Sequence, residues 1–204
     1  QPLSGISSGN GNMMISPGFS TGLLVSTGSP LFQYDVAAKT STEVLQWLDS
    51  DINYNNIRGF SAISEEQYAV VTERYGQDTS VSEIVILTKQ AADTVNEKTT
   101  LTYGTLYTDD RILEKIIEFN KTSDKYRIEV KEYGLDDWEQ AQVQMNADIL
   151  SGNGPDIFSL SYGASIEQYI NKGVFEDLNQ YLAKDTLIQK EDYLENVLGA
   201  YEVN

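Results

Sequence analysis

The 204 residues suffice for one large domain or two small ones, and 40 % hydrophobic content supports a packed core. With no cysteine and no histidine there is no disulfide, thiolate nucleophile or imidazole base, so triad hydrolysis and most zinc chemistry are excluded on inventory. The 14 Lys and Arg against 31 Asp and Glu leave a formal charge of −17, which repels nucleic-acid phosphate and anionic lipid, so no nucleic-acid partner is expected.

No stretch approaches the roughly 18 apolar residues a membrane helix needs, so no direct membrane insertion is expected, and the N-terminus lacks a basic-then-apolar signal pattern. From Gln1 to Tyr34 there is no charged residue, and Gly, Ser, Thr and Asn separate short apolar runs. That is strand-and-turn composition. Strands are predicted at Gly22 to Val25, Leu31 to Tyr34, Glu43 to Leu48, Tyr68 to Thr72 and Glu83 to Thr88. The connectors, among them Thr27-Gly28-Ser29-Pro30, Lys39-Thr40 and Gly76-Gln77-Asp78, leave no room for a crossover helix, so the pairing is predicted to be antiparallel.

An internal echo links Leu23 to Ser26 running into Leu31 to Tyr34 with Ala69 to Thr72 running into Ile84 to Leu87. Both read as hairpins with a glycine near the turn. Their spacing suits the four-stranded blades of a β-propeller, although one and a half blades cannot close a ring. The run Asp49-Ser50-Asp51-Ile52-Asn53-Tyr54-Asn55 places oxygen ligands at alternate positions as a calcium loop does. Tyr54 stands where such a loop turns on glycine, and Phe60 where a glutamate closes the shell. The run therefore reads as a side-chain-capped turn, and no metal or other cofactor is expected.

Composition changes between Gln90 and Thr100, and the boundary is placed near Lys98: an antiparallel, propeller-blade-like segment over 1–98, then an α/β lobe over 99–204. In the second part a strand is predicted at Leu101 to Leu106, then a helix with apolar face Leu113, Ile116 and Ile117. Asp109 would cap that helix, with Asp110 in its positive first turn. A half-buried strand follows through Tyr126, Ile128 and Val130. Next comes a helix from Trp138 to Leu150 with Trp138, Ala141, Met145 and Ile149 on one side, stopped by Ser151-Gly152-Asn153-Gly154-Pro155. A strand at Asp156 to Leu160 and helices near Ile166 to Lys172 and Tyr193 to Tyr201 complete an alternation that predicts a parallel sheet with helices on its faces.

The run Gly152 to Phe158, the opening Leu101-Thr102-Tyr103-Gly104, Glu118-Phe119-Asn120 and Tyr169 to Leu178 together resemble the family 1 extracellular solute-binding proteins of ABC importers, over roughly Thr99 to Asn204. The resemblance implies a three-layer, periplasmic-binding-protein-like α/β lobe, the N-terminal one of two lobes that hold a small solute, expected to be a sugar, for a membrane permease. The chain would then be a fragment that stops within this lobe. The first 98 residues resemble propeller-like extensions of Gram-positive surface lipoproteins, which implies an extracellular, cell-surface-anchored parent and no enzymatic activity.

In open α/β sheets ligands bind beyond the carboxyl ends of the strands. Three loops qualify: Tyr107, Thr108, Asp109 and Asp110 after the first strand, Tyr133 to Trp138 after the second, and Ser159, Ser161, Tyr162 and Gly163 after the third. Aromatic rings beside short polar groups suit a sugar, whose faces stack while its hydroxyls take hydrogen bonds. Tyr107, Thr108, Asp109, Asp110, Trp138, Ser161 and Tyr162 are therefore the candidate ligand residues. Tyr162 is the preferred single choice because its loop resembles a ligand-contacting loop of the family. Asp109 alternatively only caps its helix, and Trp138 alternatively faces the core. Two other functions compete: a surface-interaction or adhesion module without small ligand, and a glycoside hydrolase fragment. The adjacent pairs Asp109-Asp110 and Asp136-Asp137 count against the latter, because neighbouring residues cannot flank one glycosidic bond at the roughly 5 to 9 Å required.

Overall fold

The computed structural model describes residues 6, 13–19, 22–75, 79–91, 98–134, 137–160 and 166–199. The chain forms two compact units, residues 1–162 and 163–204. The first unit contains two antiparallel sheets and one parallel sheet.

Strands β1 (Met14–Pro17), β2 (Leu23–Ser26), β3 (Pro30–Asp35) and β4 (Thr40–Gln46) form a four-stranded meander in sequence order. Between β2 and β3 the chain reverses at Gly28, whose φ of 123° disfavours any side chain. Between β3 and β4 the Asp35 carboxylate accepts the amides of Ala37 and Ala38 at 2.8 and 2.9 Å and closes the turn. Strands β5 (Ile57–Ser64), β6 (Gln67–Tyr75) and β7 (Ser80–Thr88) form the second sheet, also in order. Both expected hairpins are present, with Leu24 opposite Gln33 and Val70 opposite Val85.

The sequence reading lacked β1 and β5, and the strand expected at Glu43 to Leu48 runs instead from Thr40 to Gln46. In β5 the register is irregular between Ile57 and Gly59, and Gly59, Ser61 and Ser64 blur the alternation that announces a strand. Leu48 belongs to a 3-10 turn, Leu48–Ser50, followed by a second at Tyr54–Asn56. The two sheets bury a common core in which Leu24 and Leu31 of one meet Phe60, Tyr68 and Val70 of the other around Trp47. Trp47 is fully buried, its ring centroid 5.7 Å from that of Phe60, and its indole N–H donates to the Ser26 hydroxyl at 2.9 Å. An indole buried without such a partner would forfeit part of its gain.

The third sheet has the order β10-β8-β9, with β8 (Thr99–Thr105), β9 (Tyr126–Glu132) and the two-residue β10 (Ile157–Phe158) all parallel. Helix α1 (Asp110–Thr122) links β8 to β9, and α2 (Trp138–Ser151) links β9 to β10. The Asn120 side chain, buried at the end of α1, both donates to the carbonyl of Ile128 and accepts its amide, at 2.9 and 2.7 Å. Ile128 and Val130 line a cavity together with Leu113 and Ile116 of α1, whereas Lys131 reaches Asp148 of α2 at 3.1 Å. Successive strand residues point to opposite faces, so the two helices cover opposite faces of the sheet.

The Gly-Pro-Asp run has a physical reason at each position. A Cβ on Gly154 would lie 2.8 Å from the Cα of Ile149, Pro155 packs directly over Gly104, and Asp156 accepts the amide and hydroxyl of Thr102 at 2.7 and 2.8 Å. That segment thereby locks α2 and β10 against β8.

In the second unit, α3 (Ile166–Asn171) ends at Gly173, whose φ of 65° marks a left-handed stop. The buried Tyr169 ring meets Phe175 edge-on at 5.9 Å. Short helices α4 (Asn179–Leu182) and α5 (Glu195–Gly199) follow, the former absent from the sequence reading. Four residues supply too little apolar period to be seen.

Candidate functional site

The carboxyl end of β8 is built from polar contacts rather than apolar packing. Thr105 is 2 % exposed, and its hydroxyl donates to the Tyr107 carbonyl at 2.7 Å while taking the Tyr107 amide at 3.2 Å and the Ser159 hydroxyl at 2.8 Å. One side chain thus shapes the loop after β8 and ties it to the residue that follows β10. The Thr105 carbonyl accepts the Tyr133 amide at 2.9 Å, and a Cβ on Gly134 would collide with the Leu106 carbonyl oxygen. All three strand ends therefore meet at Thr105.

The loop after β8 brings four of the candidate residues together. Tyr107 is 69 % exposed, with its ring free to offer a face. Thr108 is buried, its amide donates to the Glu132 carboxylate at 3.1 Å, and its hydroxyl has no partner among the described residues. Asp109 caps α1, accepting the Arg111 amide at 2.9 Å while the Arg111 guanidinium grips both of its oxygens at 3.0 and 2.9 Å. Those bonds hold its pKa down at about 2, so it is an occupied, permanently charged acceptor. Asp110 opens the helix and accepts a hydrogen bond from the Asn55 side chain at 2.6 Å.

At the start of α2, Asp137 supplies the cap, accepting the amides of Glu139 and Gln140 at 3.0 and 3.1 Å. Trp138 is 53 % exposed, which corrects its expected place on the core side of the helix. The buried line of α2 is Ala141, Met145 and Ile149, and Trp138 is the first residue of the helix. Ser161, Tyr162 and Gly163 lie outside the described residues.

Sequence reasoning missed Glu132, which holds Thr108, and the turn at 53–55, whose Tyr54 stands beside Tyr107, Asp110 and Glu132. Burial, followed by the charges of Glu132 and Asp110 and by Tyr107, pushes the Tyr54 phenol up to about 12. The run at 49–55 was read as a side-chain-capped turn, and Asn53 does cap it, accepting the Asn55 amide at 3.0 Å, while Asp51 pairs with Arg127 at 3.0 Å. Among the described residues no group of acidic side chains is arranged to hold a metal ion.

Two depressions adjoin α1. One, of about 170 Å³, sits between Gln46, Leu48 and Asp49 on one side and Leu113, Asn120 and Arg127 on the other. The other, of about 550 Å³, runs along the flank of α1 past Ile112, Lys115 and Phe119. Neither is lined by Tyr107, Thr108 or Trp138. Among the described residues no helix is long and apolar enough to cross a membrane.

No curated protein and no solved structure matches the chain significantly. Residues 104–203, from within β8 to the end of the second unit, match the family of bacterial extracellular solute-binding proteins.

Proposed function

We propose that the chain is part of an extracellular solute-binding protein that captures a carbohydrate and presents it to the membrane permease of an ABC importer. Residues 99–204 serve as the N-terminal lobe of the binding module and residues 1–98 as a propeller-like extension. Its location is the cell surface, anchored as a lipoprotein, and its role is capture without catalysis. The family match over 104–203 carries the solute-binding and transport reading.

Carbohydrate is favoured by the chemistry at the strand ends. Tyr107 and Trp138 expose ring surface at the starts of α1 and α2, the loop after β8 carries the Asp110 carboxylate, and sugars need stacking faces together with acceptors for their hydroxyls. Thr108 and Asp109 shape the same loop, and Ser161 and Tyr162 complete the proposed set. Ligand closure between two lobes supplies much of the buried surface in such proteins, so one lobe alone binds weakly.

Ligand-observed NMR of the 204-residue chain with a panel of mono- and oligosaccharides, amino acids and short peptides tests the assignment. A weak, saturable sugar signal is expected, reduced roughly 5- to 30-fold in Tyr107→Ala because a stacked ring is worth on the order of 1 to 2 kcal/mol. The melting temperature should not move, since the ring is largely exposed. Binding confined to peptides or amino acids would retain solute capture and remove the carbohydrate. A sugar signal indifferent to Tyr107→Ala would move the site elsewhere.

A further inference from the structure

We infer that the turn at 53–55, which precedes the family-matched region, braces the first strand-end loop, and that Asn55 is the positioning residue that holds residues 106–110 in place for a solute. The functional meaning of this brace rests on the solute-binding reading.

The turn is rigid by its own contacts. Asn53 is 6 % exposed, its side chain accepts the Asn55 amide at 3.0 Å, and its carbonyl accepts the Asn56 amide at 3.1 Å. Tyr54 packs against the core that surrounds Trp47, Ile52 and Ile57. Asn55 is therefore presented from a fixed base, and its amide reaches the Asp110 carboxylate at 2.6 Å across 55 residues of sequence. Hydrogen bonds to an ionised acceptor are shorter and stronger than neutral ones. On the other side the Glu132 carboxylate holds the Thr108 amide at 3.1 Å. The loop is thus gripped once from within the matched region and once from outside it.

The same two segments carry unused polar capacity. Asn53 Nδ2 and Thr108 Oγ1 are buried, and neither has a hydrogen-bond partner among the described residues. Native structures rarely leave such atoms unsatisfied, and one of these belongs to the turn and the other to the loop it braces. The protonated Tyr54 hydroxyl adds a donor beside the acceptors Asp110 and Glu132. The turn and the loop it braces thus each hold a buried polar atom that the described residues leave unsatisfied, one of them in a segment that the family match does not cover.

Hydrogen exchange on the whole chain, without ligand, tests the brace. Asn55→Asp sets a carboxylate against the Asp110 carboxylate and should accelerate exchange of the 106–111 amides on the order of 10-fold. Exchange in β6 and α2, and the urea midpoint, should stay as they are because Asn55 is exposed. Adding Asp110→Asn reverses donor and acceptor and should restore loop protection. Unchanged loop exchange in the single variant, a loss of protection spread over the whole chain, or no restoration in the double variant would each overturn the proposal. Because no solute is present, this outcome and that of the sugar titration can fail independently.

Discussion

The core shared by the antiparallel sheets and the strand-end loops of the parallel sheet hold their aromatic rings in opposite ways. Around the first two sheets Trp47 is 0 % exposed, Tyr68 5 % and Phe60 8 %, each contributing ring surface to one shared core. At the strand ends of the parallel sheet Tyr107 and Trp138 are 69 % and 53 % exposed, and the interior there is a polar network centred on Thr105. The first arrangement converts apolar area into stability. The second leaves that area available while backbone-directed hydrogen bonds fix the loops. The strand-end region keeps these two rings in water and orders its loops with threonine, aspartate and glutamate.

The strongest way to break this contrast is to truncate one aromatic from each region. Trp47→Ala removes a fully buried indole and the hydrogen bond it donates to the Ser26 hydroxyl, and it should cost about 3 to 5 kcal/mol by urea denaturation. Trp138→Ala should stay within about 0.5 kcal/mol of the parent. Comparable losses at both positions would show that the indole of Trp138 belongs to a core.

A second experiment sharpens how the two regions are joined. Arg127 of β9 bonds the Asp51 carboxylate at 3.0 Å and the carbonyls of Leu48 and Asp49 at 2.9 and 2.8 Å, and both its side chain and that of Asp51 are 21 % exposed. Arg127→Met keeps most of the aliphatic stem and removes all three bonds. The expected loss is about 1.5 to 3 kcal/mol, with the single thermal transition of this unit separating into two. A single unshifted transition would mean that the packing around the neighbouring cavity, and not the guanidinium, couples the sheets.

The smallest effect concerns pH. Side-chain and then backbone hydrogen bonds from Arg111 depress the Asp109 carboxyl to about 2 from an ordinary 3.8. A depressed acid contributes stability that is present above the unfolded value and lost as pH falls through the folded one. Between pH 4 and 2 the melting temperature of the parent should therefore fall more steeply than that of Asp109→Asn, which can still cap the helix but carries no charge. Parallel curves would show that the cap, and not the ion pair, is what Asp109 contributes.

Several features were legible because they are local. The alternation of Tyr126, Ile128 and Val130, the Asp109 cap and the glycine turn at Gly28 each depend on residues a few positions apart, and each is found where the pattern put it. The resemblance over Gly152 to Phe158 rested on the order and spacing of residues in that run, whereas its contacts to β8 through Asp156 and Pro155 join residues about 50 positions apart. Trp138 was misread because the helical period gives its angle around the axis and not what packs against the first residue of the helix. β5 was missed because an irregular register hides the period of two.

What composition and periodicity determined, then, was which segments form strands and helices, that the first sheets are antiparallel and the last parallel, and which chemistries the absence of histidine and cysteine removes. Tertiary structure alone decided that Asn55 meets Asp110, that Arg127 clamps the turn at 48–51, and that Thr105 gathers three strand ends. Those contacts join residues 54 to 79 positions apart through single side chains. A hydrogen bond of that reach has no repeat and no neighbouring signal in the sequence, because its partner is chosen by how the sheets pack and not by the chain around it.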